Sequence, residues 1–137
     1  MVILIDTNVL LDVLQNRIPF VQESGKVVRL CGERTVDGYM ALHSVSNIFF
    51  ILRKNCSTGQ RRLLLTGLLK IVRVSGIEHK SVVEALKRED FSDFEDCLQD
   101  ECAKEIGADY IITRNINDFV HSEVPAITPK QFLEIME

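Results

Sequence analysis

The sequence predicts an α/β fold: a three-layer α/β/α sandwich around a central, mainly parallel sheet of four or five strands. Two observations carry this expectation. Short, unbroken, β-rich apolar runs, Val2 to Ile5 foremost, read as strands buried on both faces. These runs alternate along the whole chain with segments of helical period, which implies right-handed crossovers and helices on either side of the sheet.

Taken in order, Val2-Ile3-Leu4-Ile5 is the first strand, and Asp6-Thr7-Asn8 supplies capping side chains for a helix through Leu14. Pro19 is expected to open a second helix that ends near Gly32. Gly38 to Leu42 reads as the second strand, ended by His43, with Ser44 or Ser46 as cap of a helix bearing Ile48, Phe49, Ile51 and Leu52. Thr58 to Leu69 is helical, Ile71 to Val74 the third strand, and Glu78 to Arg88 helical again. Phe94, Leu98, Cys102 and Ile106, spaced four apart, mark a helix that Gly107 terminates. Tyr110 to Thr113 forms the fourth strand, Ala126-Ile127 a short fifth, and Pro129 starts the closing helix.

A chain of 137 residues suffices for one domain, 1–137, and is too short for two. With 46% hydrophobic and 26% charged residues it is neither disordered nor fibrous. Its apolar runs fall far short of the ~18 residues that span a bilayer. Asp6 interrupts the apolar start before a secretory signal could form, so a soluble, cytoplasmic protein is expected. Cys31, Cys56, Cys97 and Cys102 lack C-x-x-C spacing and read as free, buried thiols rather than a zinc site. His43, His79 and His121 form no ligand-spaced pair. A net charge of −4 argues against a broad nucleic-acid-binding face. It leaves room for clustered carboxylates that hold a metal, since these lower the net charge themselves.

Such carboxylates are present. Asp6 ends the first strand, while Thr113, Asn115 and Asp118 lie at or just past the end of the fourth. Asp93 and Asp96 start the helix leading into that strand, with Asp100 one turn further on the same face. Singly, each has a plainer reading: Asp6 as a helix cap, Asp93, Glu95 and Asp96 as first-turn acids favoured by the helix dipole, Asp118 as a loop residue. Together they converge on one rim, where mutual repulsion makes joint ionisation favourable only beside a cation. Oxygen ligands of this kind suit Mg²⁺ or Mn²⁺, which activate water for phosphoryl transfer. Arg53-Lys54, Arg61-Arg62 and Arg114, the last inside the expected site, are candidates for phosphate contacts; Lys87-Arg88 reads as a solvated face.

Leu4-Ile5-Asp6-Thr7-Asn8-Val9-Leu10-Leu11-Asp12, Asp93-Phe94-Glu95-Asp96-Cys97-Leu98-Gln99 and Ala108 to Phe119 together resemble PIN domains, in the right order and over nearly the whole chain. The resemblance implies a metal-dependent endoribonuclease acting on RNA, most often the toxin of a toxin–antitoxin pair, and a homodimer. The apolar runs Ile48 to Leu52 and Leu63 to Leu65 favour a dimer as well. Asp6, Asp96 and Asp118 match the family's acidic metal positions, with Asp93 and Asn115 beside them, and Thr113 matches its hydroxyl residue. The family's glutamate after the second strand is replaced by Asn47, whose amide oxygen can coordinate a metal but adds no charge and cannot act as a base. That departure implies weaker metal binding, and it keeps open a second reading as a PIN-fold module for RNA binding or protein assembly. Phosphotransferases of the haloacid-dehalogenase type need an aspartate where Asn8 stands. Response-regulator receivers need an early acidic pair and a late lysine, and this chain has Thr113-Arg114-Asn115 after its late strand.

Overall fold

The computed structural model describes residues 1–137. Five parallel strands, β1 (Val2–Ile5), β2 (Asp37–Ala41), β3 (Arg73–Ser75), β4 (Tyr110–Ile112) and β5 (Ala126–Ile127), form one sheet in the order β3-β2-β1-β4-β5. Six helices lie between them, α1 (Thr7–Leu14), α2 (Val21–Gly32), α3 (Leu42–Ile51), α4 (Thr58–Leu69), α5 (His79–Lys87) and α6 (Phe94–Glu105), and a seventh, α7 (Pro129–Met136), follows β5. No helix is long and apolar enough to cross a membrane.

The unbroken apolar runs follow from burial on both faces. Ile3 and Ile5 of β1 join one core with residues of α1, α2, α3, α4 and α7, while Leu4 points into a second core built on α6. Met40 and Ala41 of β2, and Ile112 and Ile111 of β4, divide in the same way. Ile3, Leu4 and Ile5 are fully buried, and each such side chain contributes about 1.5–3 kcal/mol of apolar burial. α5 lies outside α6, where the Cys97 thiol donates to the Ala85 carbonyl. Cys31, Cys97 and Cys102 are buried and all four cysteines are free.

Local signals set most boundaries. Ser57 and Gln60 form a capping box at the start of α4, as do Thr128 and Gln131 at α7, with Pro129 in the first turn. Gly107, at φ +62°, follows α6 in the left-handed conformation. Three boundaries differ from the sequence-based expectation. α2 starts at Val21, two residues beyond Pro19. β3 is shifted to Arg73–Ser75 because Ile71 and Val72 still donate to Leu68 at the end of α4. α3 starts at Leu42, so His43 lies within it and neither Ser44 nor Ser46 caps it. Ser44 is instead buried against α1, its hydroxyl 2.7 Å from that of Thr7.

The chain runs from β1 outward through β2 to β3, then returns to the other side of β1 for β4 and β5. The direction therefore reverses between β1 and β4. Clefts that bind ligands form beyond the carboxyl ends of the strands at such a switch point.

The close approach of α2 to β2 requires a glycine at position 38, where a β-carbon would overlap the Cys31 sulfur and meet Ile5 Cδ1 at 3.5 Å. Gly38→Ala is expected to destabilise by about 1–3 kcal/mol through overpacking. Gly67→Ala in α4, where a β-carbon meets nothing within 4 Å, should stabilise by about 0.5–1 kcal/mol. Urea unfolding midpoints of the two variants, shifted in opposite directions, check both.

Candidate metal-binding active site

Pairing of Ile5 with Ile112 continues one residue further, where the Asp6 amide donates to the Ile112 carbonyl at 2.9 Å. Asp6 and Thr113 therefore emerge side by side at the switch point. Asp6 begins α1 but its side chain makes no capping bond. It turns inward instead: Gln99 Nε2 donates to Oδ1 and Thr113 Oγ1 to Oδ2, both at 2.8 Å. Burial raises the Asp6 pKa, and these two hydrogen bonds oppose that rise by favouring the carboxylate.

Above Asp6 opens a pocket of about 340 Å³ that Asp93, Asp96, Asp118, Asn47 and Asn115 also line. β1 supplies Asp6, α3 supplies Asn47, the start of α6 supplies Asp93 and Asp96, and the turn after β4 supplies Asn115 and Asp118. Thr113 is fully buried beneath the pocket, so it positions Asp6 and, through its Oγ1, accepts from the Asn115 amide at 3.0 Å. Asp93 caps α6 by accepting from the Glu95 amide at 2.8 Å, and lines the pocket as well. Asp96 is perturbed as well. Burial, with the carboxylates of Asp93, Asp6, Asp118 and Glu95, pushes its pKa up to about 7.

Two residues expected at this rim, Asp100 and Arg114, are elsewhere. Asp100, one turn beyond Asp96, is fully buried on another side of α6. There it accepts from Arg88 at 2.7 Å and from the amides of Glu123 and Val124. Arg88, expected on a solvated face, is therefore an internal anchor that also pairs with Glu101 at 2.9 Å. Arg114 leaves the pocket to grip buried Asp12 with two hydrogen bonds of 2.9 and 3.1 Å, its guanidinium stacked 3.8 Å from the Phe20 ring. Each of these charges satisfies a buried partner, which outweighs exposure at the rim.

The sequence reading missed Gln99 as a positioning residue and Glu95 as a pocket residue. Gln99 lies one turn after Asp96 on the face that continues through Cys102, Ala103 and Ile106; a polar residue between the acids and that apolar run was its signal. Glu95 accepts from Asn47 Nδ2 at 3.3 Å, a contact between α6 and α3 with no sequence signature.

All donors lining the pocket are oxygen or amide groups, the set that hard divalent cations prefer. No three His, Cys, Asp or Glu side chains stand close enough together to hold one ion directly. Mg²⁺ typically takes only one or two carboxylates and keeps several waters, so the donor set fits such an ion. Gln99 Oε1, buried without a hydrogen-bond partner, adds a polar atom beside the pocket.

The sequence model described as PIN domain matches residues 2–117. The chain belongs to the PIN-domain family. Comparison with curated proteins gives no match. Among solved structures, this PIN domain is similar to a toxin–antitoxin complex from Klebsiella pneumoniae, with a TM-score of 0.70 and 19% identity over 92% of this chain and 96% of that one. VapBC2 from Rickettsia felis, bound to a promoter DNA fragment, gives 0.68 and 13% over 93% and 98%. VapC20 from Mycobacterium tuberculosis, a toxin that cleaves the sarcin–ricin loop, gives 0.62 and 16% over 80% and 86%. At these identities the likeness shows a shared PIN fold.

The raised pKa of Asp96 fixes the sign of a pH effect. Its folded value, about 7, lies above its ordinary 3.8, so its favourable contribution is complete below about 4 and is lost as pH rises through 7. In metal-free protein the melting temperature of wild type should therefore fall relative to that of Asp96→Asn between pH 5 and 8, as thermal melts across that range would show. Parallel profiles for the two proteins would contradict the assignment.

Proposed function

We propose that this PIN domain is a Mg²⁺- or Mn²⁺-dependent endoribonuclease, the toxin of a toxin–antitoxin pair. The observation that carries the reading is the meeting of Asp6, Asp96 and Asp118 in one pocket at the switch point, with Asp96 held near its proton by the surrounding carboxylates. A divalent cation in the pocket would neutralise these acids and supply charge stabilisation for a phosphate and a lowered pKa for an attacking water.

The residues of the chain divide the work. Gln99 and Thr113 fix both oxygens of Asp6, so one ligand is held in place before any ion arrives. Asp96 would give up its proton to serve as a ligand, and Asp118 and Asn115, exposed on the turn after β4, would hold the ion from the open side. Asn47 is tied to Glu95 and contributes an amide rather than a carboxylate.

The toxin–antitoxin neighbours support a soluble, cytoplasmic role with an antitoxin partner. A homodimer accords with the apolar groove of about 590 Å³ between α3 and α4, lined by Leu42, Val45, Phe49, Leu65 and Leu69. On this reading residues 1–137 form a single domain.

Mg²⁺ or Mn²⁺ at about 100 times its dissociation constant should stabilise the fold by about 2.7 kcal/mol, roughly 5–10 °C in Tm. Asp6→Asn should remove that shift and RNA cleavage together while leaving the far-ultraviolet circular dichroism unchanged. Asn47→Glu would set a new carboxylate against Glu95, lowering the metal-free Tm and enlarging the metal-induced rise. A Tm shift without cleavage of any RNA by wild type or Asn47→Glu would favour the RNA-binding or assembly module instead. No shift with either metal would overturn the metal site itself.

A further inference from the structure

Beside the acidic pocket lies a second groove of about 420 Å³ with opposite charge. Arg17, Arg53 and Lys54 line it with Gln15 and Asn55, and no acid does. Phe50 and Ile51 belong to both depressions, so the two are continuous across the end of α3. Arg17 strengthens the junction by donating to Asn8, a residue of the acidic pocket, at 3.3 Å.

Two features of this groove remain open to an outside partner. In a protein of net charge −4, neither Arg53 nor Lys54 forms an ion pair. Phe50 is 60% exposed at the lip between the depressions. Arg53 donates to the Phe50 carbonyl at 2.9 Å and lays its guanidinium 3.6 Å over the ring. Arg61 makes the same two contacts with Phe49, donating to its carbonyl at 2.9 Å and covering its ring at 4.3 Å, but neither Arg61 nor Arg62 lines the groove.

We infer that this groove is a subsite for single-stranded RNA, holding the nucleotide next to the one whose phosphate enters the acidic pocket. The inference rests on the nuclease reading of that pocket. Arg17 and Lys54 contact the backbone phosphate, and the flat Arg53–Phe50 pair offers a platform on which an unpaired base stacks. The arrangement meets an electrostatic need. A polyanion approaching five carboxylates is repelled, and Arg53 and Lys54, which no acid pairs, offset the repulsion one nucleotide away without neutralising the ligands, joined by Arg17, which stands 3.8 Å from buried Asp12. Stacking on the platform needs a base free of its complement, so the groove selects single strands over duplex. Because every base has a stackable face, sequence preference at this position is weak.

The test is fluorescence anisotropy of a short labelled single-stranded RNA binding to the full chain in EDTA, across a range of salt. This keeps binding separate from the metal and from cleavage. Arg53→Gln/Lys54→Gln should weaken binding about tenfold at low salt and flatten the salt slope by roughly 1–1.5. Phe50→Leu, which keeps apolar bulk and removes the ring, should weaken binding about fivefold or more with the slope unchanged. Lys87→Gln, which removes one positive charge from α5 outside both depressions, should change neither.

Loss of affinity in the groove variants with no metal-induced Tm shift in wild type would retain the subsite and discard the nuclease reading. An intact Tm shift with RNA affinity indifferent to all three groove substitutions would discard the subsite and retain the metal site. Duplex RNA bound as tightly as single strands, or an acidic peptide displaced by the double variant while RNA binding ignores Phe50→Leu, would overturn the assignment to single-stranded RNA.

Discussion

The carboxylate of Asp6, clamped between Gln99 and Thr113, is the constraint around which the functional end of the molecule is organised. One residue from β1, one from α6 and one from the end of β4 meet there, and none is adjacent in sequence to the others. A buried carboxylate with unsatisfied oxygens would cost several kcal/mol and would take up a proton instead. The two hydrogen bonds offset that cost and bind α6 to the switch point, which in turn brings Asp96 over Asp6. Displacing any of the three elements would leave the carboxylate unpaired, so the register of β1 against β4 and the placement of α6 are coupled through this one group.

A second buried acid acts in parallel. Asp12 has no exposed surface, and it receives Arg114 through two hydrogen bonds and Ser24 through a third at 3.0 Å. This ties the turn after β4 to α1 and α2, directly behind Asn115 and Asp118. Asp100 performs the same service on the far side, fastening Arg88 and the chain at Glu123 and Val124. The acids of this protein thus fall into two populations. Asp12 and Asp100, each with an arginine partner, hold the frame, and the acids that line the pocket have no cationic partner. The contrast between Asp100, fully satisfied, and Asp96, pushed up to about 7 four residues earlier, shows how sharply one helix can separate structure from function.

Charge is partitioned with similar economy along the rim. The acidic pocket and the basic groove share Phe50 and Ile51 yet exchange no ion pairs, because the end of α3 stands between them. Each charge set therefore keeps its capacity for an outside partner. That separation explains how a chain of negative net charge can still present a polyanion with a favourable path, a possibility that total charge alone conceals.

Much of this was determined by the sequence itself. Burial on both faces makes a strand apolar without alternation, so β1 and β4 were legible as Val2 to Ile5 and Tyr110 to Thr113, the second one residue longer than the strand that forms, and alternation with helices implied their parallel pairing. Asp6, Asp93, Asp96, Asn115 and Asp118 were legible as rim residues because strand ends and helix starts lie at that edge in such folds, Asn47 was legible only through the resemblance to PIN domains, and the structure brings all six to one pocket. What only the tertiary structure decided was which charged groups find partners. Asp96 and Asp100 are both acids on α6, and Arg53 and Arg114 are both exposed in prospect. Whether each meets a counter-charge depends on elements tens of residues away, and no local pattern encodes that. The same holds for Gln99 and Glu95, whose roles arise from contacts to Asp6 and Asn47 across 93 and 48 residues of chain. Local preference and burial fix elements and edges; the pairing of charges is a property of the packed whole, because its energy depends on distances that exist only after the sheet has formed.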